Sequence, residues 1–214
     1  HDLTLWSREE DVAADLVATR ENHRFFPGYK LPESVAVATD FDAAVGRAEL
    51  LIVATPIAGL RPTVERLKAI GCTLPVLWVC KGFEAGSGKL PHQVVTEVLG
   101  QQALCGALSG PSFAEEVAAG QPTAVALAAN DPAFAREAAR QLHTARLRIY
   151  ANDDLIGVEV GGVDVEHDRD ELGGLREGQA RGEGVAVELE LEAEYVIEMM
   201  FYSFFFQKFS YRCF

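Results

Sequence analysis

Short apolar runs alternate with segments of helical periodicity from the first residues of the chain to about residue 151. Within residues 60–70, for example, Leu60, Val64 and Leu67 fall on one helical face. Strands are predicted at 2–6, 34–38, 50–55, 75–80, 103–109, 123–129 and 147–151. Helices are predicted at 9–20, 40–48, 60–70, 90–98, 112–119 and 132–143. Nearly continuous apolar strands separated by helices are typical of a parallel sheet covered on both faces. The pattern therefore predicts an α/β fold with a doubly wound, mostly parallel sheet.

The charge and the cysteines narrow the possible partners. The 19 basic and 32 acidic residues give a net charge of −13 at pH 7, which disfavours broad binding to nucleic acid or to an anionic membrane. No apolar run reaches the roughly 18 to 20 residues that a membrane helix needs, so we expect no membrane insertion. The cysteines show no zinc-ligand spacing, and Cys80 and Cys105 lie in apolar runs. We expect buried free thiols in a cytoplasmic protein without a metal site.

The composition changes at about residue 163. The residues that follow are acidic, contain many glycines and have weak periodicity, and the last stretch of the chain is aromatic. We expect residues 1–162 to form one domain and residues 163–214 to form a divergent, poorly ordered tail. A marginal additional strand and helix in the tail is the alternative.

The end of the first predicted strand indicates which cofactor the chain could use. In dinucleotide-binding sheets, the second strand ends with a carboxylate that binds the ribose of NAD or with an arginine that accommodates the 2′-phosphate of NADP. We interpret the strand at 2–6 as this second strand. The strand here ends Trp6-Ser7-Arg8, which favours NADPH over NADH. No G-x-G-x-x-G lies at a strand-to-helix junction, so we expect the first strand and its glycine loop to precede residue 1. The alternative is that Arg8 is a solvated surface charge.

Two further strand ends carry candidate ligand-binding residues. Lys81 directly follows the predicted strand 75–80, where its ammonium could hold a phosphate or polarise a carbonyl. The stretch SGPSFAEEVAAG, residues 109–120, predicts a sharp turn and a helix with Ser112 and Glu115 as a capping box. The N-terminus of such a helix attracts anions, and Gly110 would allow a ligand close to the backbone. A snorkelling surface lysine and a purely structural turn are the alternatives.

The remaining polar residues favour structural roles. His92 and His143 lie on helix faces without partners at metal-ligand spacing, so each is interpreted as a surface or packing histidine. Asp153 and Asp154 are expected to cap the helix that follows Tyr150.

Taken together, these motifs resemble the bacterial-type NAD(P)-dependent glycerol-3-phosphate dehydrogenases, in the family's order and with its spacing over residues 1–162. GPSFAEEVAAGQPTA is the most specific of them. The matching stretches are HDLTLWSR, ENHRFFPGYKLPES, LLIVATP, CKGFEAGSGKL, LSGPSFAEEVAAGQPTAV and LHTARLRIYANDDLIGVEVGG. The resemblance implies a Rossmann-like dinucleotide-binding domain.

The resemblance also implies an activity and a set of contacts. The activity is the reversible reduction of dihydroxyacetone phosphate to sn-glycerol 3-phosphate with NADPH or NADH, which feeds phospholipid synthesis. The full-length family would form a homodimer. The resemblance places the cofactor contacts on Arg8, Phe25, Lys81 and Ala114. It places the substrate contacts on Lys81, Gly110 and Ser112.

The chain departs from the family pattern after Gly162. The family continues into a helix that carries the catalytic lysine, but here no lysine occurs between Lys89 and Lys208. We therefore expect no catalytic lysine and no helical substrate domain, and we interpret the change of composition as a frame change or a fusion end. An impaired oxidoreductase is the first hypothesis. The alternatives are a non-catalytic α/β remnant that binds small phosphate compounds weakly or not at all, and a related dehydrogenase acting on another hydroxy acid or sugar acid.

Overall fold

The computed structural model describes residues 2–110, 112 and 117–161, together with the backbone of residues 203–208. The strands are β1 (Asp2–Ser7), β2 (Glu21–Asn22), β3 (Phe26–Lys30), β4 (Val35–Ala38), β5 (Leu50–Val53), β6 (Val76–Trp78), β7 (Cys105–Ser109), β8 (Thr123–Ala129), β9 (Leu147–Asn152) and β10 (Ser203–Lys208). The helices are α1 (Glu10–Thr19), α2 (Phe41–Val45), α3 (Ile57–Ala69), α4 (Pro91–Leu99), α5 (Pro132–Leu142) and α6 (Leu155–Val160).

All strands except β2 and β3 form one sheet in the order β4-β1-β10-β5-β6-β7-β8-β9. The strands β4, β1, β5, β6 and β7 run in the same direction, and β8 and β9 run opposite to them. The connections between the parallel strands contain helices, as a doubly wound sheet requires. The predicted α/β fold with a mostly parallel sheet is therefore confirmed.

The central strands are buried on both faces, which explains their continuous apolar sequences. Leu51 and Val53 pack into a core with α2, α3, α4 and α6, and Trp78 of the neighbouring strand lies in the same core. Their chain neighbours Leu50 and Ile52 pack into a second core with α5. Because successive side chains of a strand point to opposite faces, each strand must be apolar at every position.

The hairpin of β2 and β3 and the strand β10 were not among the strands read from the sequence, whereas the helix expected after Tyr150 is present. The hairpin of β2 and β3 was not predicted, because Pro27 and Gly28 interrupt the apolar alternation of β3. The strand β10 lies between β1 and β5 and is antiparallel to both. The short helix α6 begins after Asp154, whose side chain accepts a hydrogen bond from the Gly157 amide at 2.8 Å. Asp154 is therefore the predicted cap, and Asp153 is not.

Several predictions fall wholly or partly outside the described residues. Residues 113–116 of the helix predicted at 112–119 are among them, and so is the tail apart from β10. The division at residue 162 and the poor order of the tail stay predictions. In the described part of the chain, the helices cover the two sheet faces and none forms a separate helical domain. Across the same residues, no helix has the length and apolarity to cross a membrane, and no cluster of side chains suits a metal ion.

Candidate functional site

The carboxyl ends of the parallel strands bring three of the predicted residues to one edge of the sheet. Arg8 follows β1, Lys81 lies three residues beyond β6, and Gly110 follows β7. Because these strands run in the same direction, all three residues emerge at the same edge. Ligands of doubly wound sheets bind in the crevice along this edge.

The strand register decides how close these residues are. Trp78 of β6 pairs with Ala107 of β7, and Lys81 and Gly110 each lie three residues beyond these paired positions, at the ends of adjacent strands. Arg8 leaves the sheet from β1, which is separated from β6 by β10 and β5. Three strand spacings of about 4.8 Å put Arg8 about 14 Å from Lys81 across the sheet. The edge thus presents one cation at β1 and a second beside the turn after β7.

The Arg8 side chain is accessible to a ligand. It is 58% exposed, and its Nε and Nη2 donate to Oε1 of the adjacent Glu9 at 3.1 and 2.9 Å. Such an exposed pair contributes little to stability, because water screens it well. A phosphate would have to share the guanidinium with the Glu9 carboxylate or displace it.

Phe25 lies in the turn between β2 and β3. Its amide donates to the Asn22 side chain at 3.0 Å, and the Arg24 guanidinium lies 4.8 Å from the centre of its ring. The ring packs against the small core that contains Leu5 of β1 and Val35 of β4. Phe25 therefore lies at the same end of the strand order as Arg8, on the opposite side of β5 from Lys81.

The loop that carries Lys81 is fastened by ion pairs. Arg61 of α3 donates to both carboxylate oxygens of Glu84 in the loop, at 2.6 and 2.9 Å. The Ser87 hydroxyl also donates to Glu84, at 2.5 Å. These hydrogen bonds, with that from Arg61 first, lower the pKa of the Glu84 carboxyl to about 2. Lys89, at the end of the loop, pairs with Glu97 of α4. The half-buried Lys81 is thus held on a structured loop.

Gly110 has a packing reason to be glycine that the sequence did not reveal. A Cβ atom there would lie 3.0 Å from the Val125 Cα and 3.1 Å from the Ala124 carbonyl of β8. The Ser112 hydroxyl lies 3.5 Å from the Gly110 carbonyl, at the limit of a hydrogen bond. The backbone of the turn therefore rests against β8, with Ser112 half-buried beside it.

The remaining predicted site residues lie outside the described part of the chain. Ala114, a predicted cofactor contact, is one of them, and so is Glu115, the predicted second half of the capping box. Gly162, after which the family lysine was expected, is another. Their roles stay predictions.

Glu159 of α6 is a buried acid that the sequence reasoning did not single out. Its Oε1 accepts hydrogen bonds from Trp78 Nε1 at 3.1 Å and from the His92 amide at 2.8 Å, and its Oε2 contacts the Nδ1 of His92. Burial raises the pKa of the Glu159 carboxyl, against the lowering effect of His92 and Trp78. His92 is thus the packing histidine that was predicted. The sequence signal that could have identified Glu159 is a single acidic residue inside the otherwise apolar stretch GVEV.

The thiols near Glu159 do not suit nucleophilic chemistry. Cys80 and Cys105 are free and buried, as predicted. Burial, followed by the nearby Glu159 charge, raises the pKa of Cys80, and the same two causes raise the pKa of Cys105 to about 11. Because the thiolate is the reactive form, these cysteines are structural.

Known proteins resemble this chain over the same region. The family described as NAD-dependent glycerol-3-phosphate dehydrogenase N-terminus matches residues 1–145. Glycerol-3-phosphate dehydrogenase [NAD(P)+] of Dechloromonas aromatica is 88% identical over 163 residues, which is 76% of this chain and 50% of that protein. The enzyme of the same name from Aromatoleum aromaticum is 54% identical over the same shares.

A solved structure agrees with these relatives. The crystal structure of glycerol-3-phosphate dehydrogenase from Coxiella burnetii matches with a TM-score of 0.69 and 37% identity, covering 74% of this chain and 49% of that one. The chain spans about half the length of the curated relatives that it matches. By its sequence match and its fold, the chain belongs to the NAD(P)-dependent glycerol-3-phosphate dehydrogenase family.

Proposed function

We propose that this chain binds NADP(H), in preference to NAD(H), along the carboxyl edge of its sheet, with a small phosphate substrate beside Lys81. The reaction proposed for the site is the reversible reduction of dihydroxyacetone phosphate to sn-glycerol 3-phosphate. The observation that carries the proposal is the placement of Arg8, Lys81 and the Gly110 turn on one sheet edge in a member of this family.

Arg8 supports the preference for NADPH. The planar guanidinium can donate two hydrogen bonds to a phosphate, and its exposure leaves room for one. A neutral ribose hydroxyl gains less from a cation than a 2′-phosphate does. Phe25 and Ala114 are the further cofactor contacts that we propose.

Lys81 and the turn at Gly110 support the phosphate substrate. The chain as a whole carries a net charge of −13, so an anionic substrate needs a local cation to bind. Lys81 supplies that cation at the ligand edge, and the Ser112 hydroxyl lies at the neighbouring strand end. A bound nicotinamide would supply the hydride, while Lys81 and Ser112 would orient the phosphorylated ketone.

The same sequence predicts that chemistry is impaired. Reduction of a ketone needs a proton donor at the developing alkoxide, and no lysine occurs between Lys89 and Lys208. Loss of a general acid typically slows such a reaction by about 10²- to 10⁴-fold. We therefore expect this chain to bind its ligands but to catalyse the reaction slowly. A remnant that binds phosphate compounds without catalysis is the second candidate, and this lack of a lysine favours it.

Two assays on the full chain test the proposal. NADPH binding is measured by fluorescence. NADPH oxidation with dihydroxyacetone phosphate is measured for this chain and, under the same conditions, for the Dechloromonas aromatica relative. We expect saturable NADPH binding with turnover about 10²-fold or more below the relative. Absence of NADPH binding would contradict the proposed site, and turnover equal to that of the relative would contradict the impairment.

A matched pair of lysine variants tests the substrate contact. Lys81→Met and Lys89→Met remove the same charge from the same loop, but Lys89 forms an exposed ion pair with Glu97 of α4. We expect only Lys81→Met to weaken the binding of dihydroxyacetone phosphate. Equal weakening in both variants would show a general effect of charge and would remove Lys81 from the site.

A further inference from the structure

The loop that carries Lys81 has both of its ends fastened to one side chain. The loop runs from the end of β6 at Trp78 to the start of α4 at Pro91. Glu159 accepts a hydrogen bond from the Trp78 indole on one side of the loop and from the His92 amide on the other. Residues far apart along the chain are thus joined through a single carboxylate.

This contact differs from the ion pairs in the middle of the loop. The Glu159 side chain is only 2% exposed, whereas the Lys89 and Glu97 side chains are about half exposed. Water can replace a lost surface partner, whereas removal of Glu159 leaves the fully buried Trp78 indole without its acceptor. Leaving a buried donor without a partner therefore destabilises the closed arrangement of the loop.

One titratable side chain contacts the Glu159 carboxylate. His92 of α4 contacts Oε2, and it is the titratable group in hydrogen-bond contact with Glu159. Within the described residues, the other titratable groups facing it are the Cys80 thiol just after β6 and the Cys105 thiol of β7, which burial keeps protonated, and β8 carries none. Burial raises the pKa of the Glu159 carboxyl, and the contact with His92 opposes that shift without cancelling it.

We infer that Glu159 is a positioning residue for Lys81, because its carboxylate closes the loop through Trp78 and His92. The inference rests on the proposed function, because it gives Lys81 its role as a ligand contact. It also couples α6, which leads to Gly162, to the ligand edge. Because burial raises the pKa of the Glu159 carboxyl above its value in the unfolded chain, the closure is strongest at low pH and loosens as the pH rises.

Amide hydrogen exchange of the full chain tests the inference directly. Peptides covering residues 79–92 are compared between the wild type, Glu159→Ala and Glu159→Gln, with rates corrected for the intrinsic exchange at each pH. In Glu159→Ala we expect about tenfold faster exchange of the loop, the factor that one lost buried hydrogen bond produces. Glu159→Gln keeps an acceptor for the Trp78 and His92 donors and offers its own N–H to the imidazole, so it mimics the protonated carboxyl.

The dependence on pH separates positioning from a general effect on stability. We expect loop exchange in the wild type to speed up with rising pH, and loop exchange in Glu159→Gln to stay slow throughout. Glu137→Gln, which breaks an exposed pair on α5, is the control and should behave like the wild type. Should Glu159→Ala not fold, Glu159→Gln decides the matter alone.

Two results would overturn the inference. One is unchanged loop exchange in a folded Glu159→Ala variant, and the other is the same pH dependence in Glu159→Gln as in the wild type. NADPH and dihydroxyacetone phosphate are titrated in parallel. If neither binds the wild type, the proposed function fails, whereas the exchange data still report whether Glu159 closes the loop.

Discussion

Replacing Gly110 by alanine tests whether this glycine is required by packing or by a ligand. The residue follows β7 and rests against β8, where an added Cβ would lie 3.0 Å from the Val125 Cα and 3.1 Å from the Ala124 carbonyl. Both atoms belong to the backbone of a buried strand, so they cannot move aside as a flexible side chain could. The variant should therefore be destabilised even when no ligand is present.

The size of the effect follows from these distances. Inserting a methyl group into a well-packed region typically destabilises a protein by about 1–3 kcal/mol. Gly106 provides a steeper case on the same strand, because a Cβ there would lie 2.5 Å from the Ala128 carbonyl. Gly106→Ala should thus be more destabilising than Gly110→Ala. A loss of about 2 kcal/mol corresponds to a shift of about 1 M in the urea midpoint.

Urea unfolding of the full chain, followed by tryptophan fluorescence, measures this order. Ser112→Ala is the matched control, because the Ser112 hydroxyl makes only a marginal contact and its loss should change stability by less than about 0.5 kcal/mol. If Gly110→Ala unfolds at the wild-type midpoint, the close approach to β8 is wrong. The glycine would then have to be explained by the ligand alone.

Three further predictions concern stability. Arg61 keeps the pKa of Glu84 at about 2 instead of its ordinary 4.5, so this pair stabilises the fold above pH 4.5 and the stabilisation is lost as the pH falls toward 2. The urea midpoint of Arg61→Ala should therefore lie below that of the wild type at pH 6 and converge with it near pH 2. A difference that stays constant between these pH values would contradict the role of the pair. Leu127 is 0% exposed, so Leu127→Ala should lower the free energy of unfolding by about 2–5 kcal/mol, and a loss below 1 kcal/mol would place it outside the core. Asp154→Ala removes the hydrogen bond to the Gly157 amide and should destabilise the fold by about 1 kcal/mol in thermal unfolding, whereas an unchanged midpoint would argue against this cap.

Most of the sheet could be predicted from the sequence, because its strands are buried on both faces. Runs such as LLIVA and PVLWVC are apolar at every position, and helices of regular periodicity separate them. The hairpin of β2 and β3 gave no such signal, since β2 contains only Glu21 and Asn22. The strand β10 pairs with β1 and β5, which are distant in sequence, and no local pattern reports such a partner.

The residues of the candidate site that lie at strand ends could be predicted from the sequence. Arg8, Lys81 and Gly110 follow their strands directly or within three residues, so the direction of the strands was enough to bring them to one edge. The contact of Gly110 with β8 and the burial of Glu159 depend on how separate elements pack. Both depend on residues that are far apart in the sequence, so no local sequence pattern reveals them.

The most direct test of the account is a titration of the full chain with NADPH and NADH, repeated for Arg8→Asp and Arg47→Asp. Arg47 has the same charge but precedes β5, at the opposite edge of the sheet. A charge-assisted hydrogen bond is worth about 1.5–3 kcal/mol, so Arg8→Asp should weaken NADPH binding by roughly 10- to 100-fold and leave NADH binding nearly unchanged. Arg47→Asp should bind both as the wild type does. Equal losses for the two cofactors in Arg8→Asp, or the same loss in Arg47→Asp, would contradict the placement of the cofactor at this edge.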